Sequence, residues 1–283
     1  MDSHEIVLVR HAPPPGLIGV VAGMVGMCER APGVVRRRQP AGSLIPLVIS
    51  FGDPLTVESL SDAVGAGTSY RSFVAGFSPG HATTSFAGGQ ECVQVYLHPT
   101  GVGRLLGATA HEVARRVIAA DQVLPRVAVL AERLASTPAW DERLCLVEAE
   151  LLRQLEGTEN RVPRWVEWMW QRIVATGGQV RIGSLVEETG WSHRHVTRTF
   201  TEHVGLPPKQ AADVVRFERA LADLGELPPA EVAARHGYAD QSHFTRAVAR
   251  HAGETPSRLA AARRPTALTA LGLTPPQAGH GLG

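Results

Sequence analysis

Lysine is almost missing from this chain: of 28 basic residues only Lys209 is not an arginine, a bias from which no mechanism follows. Cysteine is scarce as well. Cys28, Cys92 and Cys145 lie far apart and form no Cys-x-x-Cys pair, which argues against a disulfide or zinc framework and suits a reducing compartment. Long apolar runs are absent. Leu17–Met27 is the strongest candidate, but it has 11 residues, three of them glycine, too few to cross a bilayer. Asp2 and Glu5 spoil a basic leader, and Met27 is not the small residue a cleavage site needs. The segment is read as a glycine-bearing buried strand, and the protein is expected to be cytoplasmic with no membrane association.

The usual signs of catalysis are missing too. There is no nucleophile-elbow pattern, no carboxylate pair and no His-x-His. His81 and His98 stand apart without an acidic companion, so no metal is expected. No cysteine has the cationic or helix-start setting that activates a thiolate. Gly101-Val102-Gly103 with Gly107 and Asp121 imitates a dinucleotide fingerprint, but the third glycine is one position late and no strand-helix alternation follows. The glycines are read as shaping a turn and a helix start. Neither a cofactor nor an enzymatic activity is expected. Arg36–Arg38 is read as a solvated loop.

Charge is divided unevenly along the chain. Residues 161–283 carry 15 basic and 11 acidic residues, net +4, whereas residues 1–160 carry 13 and 16, net −3. A basic half beside an acidic one suits a nucleic-acid module fused to a domain with another task.

That basic half repeats itself. A shift of 48 positions superposes Ser192 on Asp240, Val196 on Phe244 and Arg198 on Arg246. It also superposes Phe200 on Val248, His203 on His251, Gly205 on Gly253 and Pro208 on Pro256. Each copy opens on a residue able to cap a helix and closes on glycine followed by proline. Each is preceded by a short helical stretch ending in glycine, Gly183–Thr189 with Gly190 and Pro229–His236 with Gly237. Helix, glycine turn and capped second helix is the helix-turn-helix pattern, and two in tandem suggest two recognition helices on one duplex. At about 100° per residue, Val196, Thr199, Phe200 and His203 share one side of the first helix, with Arg194, Arg198 and Thr201 opposite. On the second, Phe244, Ala247, Val248 and His251 cluster, with Ser242, Arg246 and Ala249 opposite and Arg250 at the flank. Thr197 and Gln241 lie at the edges. An outward arginine at one register in both copies fits a guanidinium forked onto guanine.

Gly237-Tyr238-Ala239-Asp240-Gln241-Ser242-His243-Phe244, then Arg246 and Gly253-Glu254-Thr255-Pro256, resembles the signature of AraC/XylS-type transcription regulators. The first copy agrees at Gly190-Trp191-Ser192, Arg198-Thr199-Phe200, Gly205 and Arg216-Phe217-Glu218-Arg219-Ala220-Leu221. The resemblance covers about residues 163–264. It implies two helix-turn-helix units joined by a linker helix at about Pro208–Leu224. It also implies that Arg194, Thr197 and Arg198 read one major groove and Gln241, Ser242 and Arg246 the next; Ser192 and Arg250 complete the expected DNA-binding residues. Leu259 and Ala260 depart from the Tyr and Arg common there, which bears on the last helix and its backbone contact.

The first hundred residues hold short apolar runs at Leu17–Met27, Leu44–Phe51, Ser72–Phe77 and Glu91–Leu97. Turn signals stand at Gly52-Asp53-Pro54, Ser78-Pro79-Gly80 and Gly88-Gly89. This pattern suggests an antiparallel sheet or partial barrel. Helices are expected at Ala110–Val117, Pro125–Ala135 and Asp141–Glu156. In the last, Leu144, Val147, Leu151 and Leu155 form an amphipathic stripe, read as core or as a dimerisation surface. The strand-turn-helix run from Val95 to Gly107 is similar to a segment found in one subgroup of these regulators.

The expected architecture is therefore α+β. A sensing and dimerisation domain spans residues 1–156 and a polar linker 157–162. An all-α DNA-binding domain spans 163–264, and a disordered tail 265–283. The expected partners are double-stranded DNA, a small-molecule effector, RNA polymerase (as an activator) and a second copy of the chain. Two alternatives stay open: a sensor enzyme tethered to DNA, and an N-terminal domain that only dimerises. An apolar pocket in the sheet would favour sensing; a filled sheet would favour the dimeriser.

Overall fold

The computed structural model describes residues 4–62, 67–157, 161–262 and 271–272. Its N-terminal half is built on an antiparallel sheet. The strands are β1 (Glu5–His11), β2 (Val21–Gln39), β3 (Ile45–Ser50), β4 (Leu55–Leu60), β5 (Thr68–Tyr70), β6 (Phe73–Ala75), β7 (Ala82–Leu97) and β8 (Val117–Ala119). They run in the order β1-β2-β7-β3-β6-β8, and β4 pairs with β5 and with the first half of β7.

Two long strands give this sheet its curvature. β2 and β7 pair along nearly their whole length, but the register slips between Ala31 and Val35, opposite Gly88. Gly88 has φ +83°, a conformation that favours glycine. Gly88-Gly89 thus lies inside β7, paired with Ala31 and Arg30 opposite a bulge of β2, and is not the turn expected from its composition, because β2 continues to supply pairing partners on both sides of it. Another expectation also changes. Leu17–Met27 is not one strand: Leu17 closes a short 3-10 turn, Gly19 sits at φ +80°, and the strand begins at Val21.

Strand alternation divides the sheet into two faces. On one, Val93, Val95 and Leu97 of β7 and Ile45, Leu47 and Ile49 of β3 join the main core. They pack beneath α1 (Val102–Leu106), α3 (Val127–Ser136) and α4 (Trp140–Glu156). On the other, Met27, Val48, Phe73 and Cys92 form a separate small cluster, and this face stays concave. The α4 stripe goes inward: Leu144, Val147 and Leu151 have no exposed surface, so it is spent on the core and unavailable to a partner. Buried Arg143 ties α4 down. Its Nε donates to the carbonyls of Leu134 and Thr137 at 3.1 and 2.6 Å, and its guanidinium lies over the rings of Phe51 and Trp140. The helix expected from Ala110 to Val117 stops early, as α2 (Ala110–Val113). Arg115 turns the chain at φ +55°, and Val117–Ala119 pairs instead with β6.

The C-terminal half is helical: α5 (Arg164–Ala175), α6 (Ile182–Thr189), α7 (His193–Val204), α8 (Pro208–Asp223), α9 (Pro229–Arg235), α10 (Gln241–Ala252) and α11 (Pro256–Ala262). The two halves share one hydrophobic cluster running from Leu17 to Leu259. Phe77 meets Trp170 edge-on at 5.9 Å. Val162, at the end of the expected polar linker, is buried, and residues 158–160 lie outside the described residues. So does the expected tail, apart from Leu271-Gly272, of which Leu271 packs beside Val25, Leu44 and Tyr96.

Gly76 marks the tightest approach in this packing. A Cβ built there would lie 1.7 Å from the Val113 carbonyl oxygen. Gly76→Ala should therefore push β6 away from α2 and lower stability by about 1–3 kcal/mol or more. A fall in the urea midpoint with an unchanged slope is the expected result, and wild-type stability would contradict this account of the junction.

Candidate nucleic-acid interface and ligand cavity

The 48-residue repeat appears in the structure as two copies of one device. Ser192 caps α7 by accepting from the His195 amide at 3.3 Å, and Asp240 caps α10 by accepting from the His243 amide at 2.6 Å. Each satisfies a helix N-terminal donor that would otherwise be unpaired. Both helices end on left-handed glycines, Gly205 at φ +96° and Gly253 at φ +65°. The preceding turns are made by Gly190 and Gly237, at φ +71° and +69°.

Burial sorts the side chains much as the helical wheel does. Val196, Phe200 and Val204 of α7 are buried, as are Phe244, Ala247, Val248 and His251 of α10. Thr199 and His203, expected inward, are only half-buried. Ser192, Arg194 and Arg198 are exposed, as are Gln241, Ser242, Arg246 and Arg250. Thr197 is half-buried, its hydroxyl 3.4 Å from His193 Nδ1. Thr201 is also half-buried, its hydroxyl bonded to the Thr197 carbonyl, which leaves the outward face of α7 to Arg194 and Arg198.

Packing brings further residues to the outer face of α10. A concavity of about 450 Å³ lies between it and the first turns of α8, lined by Lys209, Asp213, Arg216, Tyr238, Arg246 and Arg250 among others. The Arg216 guanidinium stacks 5.0 Å over the Tyr238 ring and pairs with Asp213. Four cationic side chains against one carboxylate make this a place for an anion. Lys209 and Arg216 were not among the residues read from sequence, because a helical wheel treats each helix alone. The one available signal was that the sole lysine stands at the start of the linker helix.

The concave face of the sheet holds a second cavity, about 440 Å³, within the size range of small-molecule sites. Val25, Met27, Val48, Val57, Phe73 and Phe86 make apolar walls. Its polar groups are mostly committed to one another. The Tyr96 hydroxyl donates to Gln94 Oε1 at 2.6 Å. Glu29, fully buried, takes both guanidinium nitrogens of Arg37 and the ring of His4. Burial alone would raise the Glu29 carboxyl; the bonds from Arg37 and His4 outweigh it and hold the group below the usual carboxylate range. Cys92 sits under the same face with its thiol pushed up to about 12 by burial. The Cys28 thiol is also raised, by burial and by the Glu91 carboxylate. Both stay protonated at neutral pH, the opposite of what a nucleophile needs. Among the described residues no three His, Cys, Asp or Glu are grouped to hold a metal, and no helix is long and apolar enough to cross a membrane.

The cavity reaches the reader, because Glu218 of α8 is part of its lining. Its side chain is buried, with Oε2 accepting from the Ser43 amide at 3.0 Å. Nearby, the carbonyl of His251 accepts from the Ala41 amide at 2.8 Å, and His251 Nδ1 lies 2.6 Å from the Pro79 carbonyl. Arg38 donates to the Gly253 carbonyl at 2.5 Å. The rim of the sheet thus grips both the linker helix and the end of the second recognition helix.

Burial raises the Glu218 carboxyl above its ordinary 4.5. A carboxyl whose folded value is raised binds its proton more tightly in the native state. Its contribution to stability is complete below the unfolded value and is lost as pH climbs through the folded one. Glu218→Gln does not titrate, so its stability relative to wild type should rise steadily as pH is taken from about 4.5 upward. Thermal unfolding of both proteins across that window checks this, and a difference that shrinks with pH would contradict it.

Residues 185–262 match the family described as Helix-turn-helix domain. Among curated proteins, the chain is similar to the uncharacterized HTH-type transcriptional regulator YbfI of Bacillus subtilis (strain 168), 35% identical over 66 residues, which is 23% of this chain and 24% of that protein. It is also similar to the HTH-type transcriptional regulator Rv1931c of Mycobacterium tuberculosis, 34% identical over 84 residues, 29% of this chain and 32% of that protein. The chain therefore spans 24% and 32% of the length of these two relatives. A solved structure, the C-terminal domain of AraT, a response regulator from Geobacillus stearothermophilus, aligns at 25% identity over 38% of this chain and 93% of that one, with a TM-score of 0.34. Two capped helices in tandem, each led by a glycine turn, coincide with the matched region, and residues 185–262 of this chain are a helix-turn-helix domain.

Proposed function

We propose that the protein is a sequence-specific DNA-binding transcription regulator, with a reader at 163–264 governed by a small molecule held in an N-terminal domain at 1–156. The observation that carries the reading is the pair of exposed arginines, Arg198 and Arg246, at one register of two helices with matching caps. In this reading Arg194, Thr197 and Arg198 face one major groove and Gln241, Ser242 and Arg246 the next. Ser192 and Arg250, with Lys209 and Arg216, serve the phosphates. Phosphate contacts orient the protein, and base contacts specify the site. α8 has 16 residues and is about 24 Å long. With the widths of its neighbours it can hold two recognition helices about one DNA turn, roughly 34 Å, apart.

The open concave face favours sensing over a domain that only dimerises, because a site of this size with apolar walls is left unfilled. A ligand that binds one state of the protein better than another shifts their populations and with them DNA affinity. The same reading takes RNA polymerase as the partner at an activated promoter. It places the protein in the cytoplasm and permits a homodimer through a surface other than the buried α4 stripe.

Arg246→Ala should lose about 1–3 kcal/mol of specific binding and relax sequence preference in one half of the site, and Arg198→Ala in the other. A fluorescence titration against selected operator DNA decides: unchanged affinity and preference in both variants would sink the assignment. The full chain should also protect an asymmetric site longer than one helical turn, with affinity falling steeply as salt rises. Footprinting that finds half a turn, or a strict need for inverted repeats, would show that the two units do not read DNA together.

A further inference from the structure

Among the described residues, Glu218 is the one acid lining the sheet cavity that comes from the reader. It is 2% exposed. Oε2 is satisfied by the Ser43 amide, but Oε1 is buried with no hydrogen-bond partner among the described residues. A buried polar atom left unpaired is costly, and such atoms concentrate where function retains them. Oε1 lies beside Gly42, where a Cβ would come within 3.3 Å of it. Gly42 also lines the cavity, so a methyl added there would crowd this oxygen. His81 of the same lining repeats the pattern: its Nδ1 is buried and unpartnered. Burial depresses the His81 ring below its ordinary value, so at neutral pH it is uncharged and has a nitrogen able to accept a hydrogen bond.

Two unpaired groups at one cavity, both able to accept, call for a donor. The competing charges are already engaged. Glu29 holds Arg37, Arg38 is bonded to the Gly253 carbonyl, and Arg115 bridges Asp62 and Gln210 at 2.6 Å each. Arg116 stands at the exposed rim.

We propose that this cavity takes a small molecule with an apolar body and an amine head, and that the head is bound by Glu218, so that the helix joining the two reading units touches the ligand itself. The inference rests on the small-molecule control proposed above and adds the ligand class and the residue that receives it. An ammonium supplies both the donor that Oε1 lacks and the charge that a buried carboxylate lacks, whereas a hydroxyl supplies only the first. A ligand carboxylate would bring an acceptor against acceptors. Contact with α8 is a direct route to the reader, since α8 packs on α5, α7, α9 and α10.

The test uses the full chain and three probes that share one apolar body: 4-phenylbutylamine, 4-phenylbutan-1-ol and 4-phenylbutyrate. Calorimetric titration at neutral pH should show the amine binding about tenfold more tightly than the other two, as a charge-assisted bond requires. Glu218→Gln keeps the shape and an acceptor for the Ser43 amide. It should bring the amine down to the alcohol's affinity and leave the alcohol unchanged. Gly42→Ala, which fills the space at Oε1 without altering the carboxyl, should weaken the amine as well, and it stands in if Glu218→Gln does not fold. Equal binding of all three probes, or an amine preference that survives both variants, overturns the role of Glu218 while leaving small-molecule sensing intact. Tightest binding of the carboxylate overturns the ligand class. No binding of any probe at millimolar concentration removes sensing by this cavity and this inference with it.

Discussion

The molecule is organised around the burial of α8 on several sides at once. Ala211, Ala212, Val214, Val215, Phe217, Glu218 and Ala220 are all buried, which no single partner surface could achieve. Phe217 and Val214 have no exposed surface, and α8 packs on helices of both helix-turn-helix units. Glu218 turns the other way, to the rim of the sheet. A helix apolar on most sides is stable only inside a larger core, so each reading unit and the sheet depend on α8 being in place.

The same constraint explains why the two halves are not beads on a string. The rim segments from Arg38 to Ser43 and from Ser78 to His81 offer carbonyls, amides and a guanidinium, and these meet the end of α10 and the middle of α8. Most of these bonds use backbone groups that the curved sheet leaves unpaired at its edge, and buried backbone groups need partners. The reader supplies them. The cavity wall and the end of a recognition helix are therefore joined by a few short bonds.

The cavity owes its existence to curvature. Were β2 and β7 straight, the face carrying Val25, Met27 and Tyr96 would have to pack flat against another layer. Because the strands slip register at Ala31–Val35 and Gly88, the face bends round instead. The walls then stand apart, leaving a space that the side chains do not fill.

Much of the reader is legible from residues alone. The caps Ser192 and Asp240, the glycines at 190, 205, 237 and 253, and the inward apolar face of each recognition helix all express local rules: a free amide needs an acceptor, a left-handed residue favours glycine, and 3.6 residues make a turn. Those rules act within a dozen residues, so the 48-residue repeat could state them twice. The α3–α4 hairpin and β3 are legible on the same grounds. What depended on contacts between distant segments was not. Gly88-Gly89 has the composition of a turn and becomes the inside of a strand because β2 runs past it. Val117–Ala119 has helical neighbours and becomes a strand because β6, paired with β3 on one side, leaves its other edge open. Glu218 looks, on its helix, like one more solvated acid. Only the approach of Ser43, 175 residues away in the chain, buries one of its oxygens in a bond and leaves the other buried without a partner among the described residues. Local chemistry determined the reading helices; the burial of one helix among distant partners decided where a ligand would meet them.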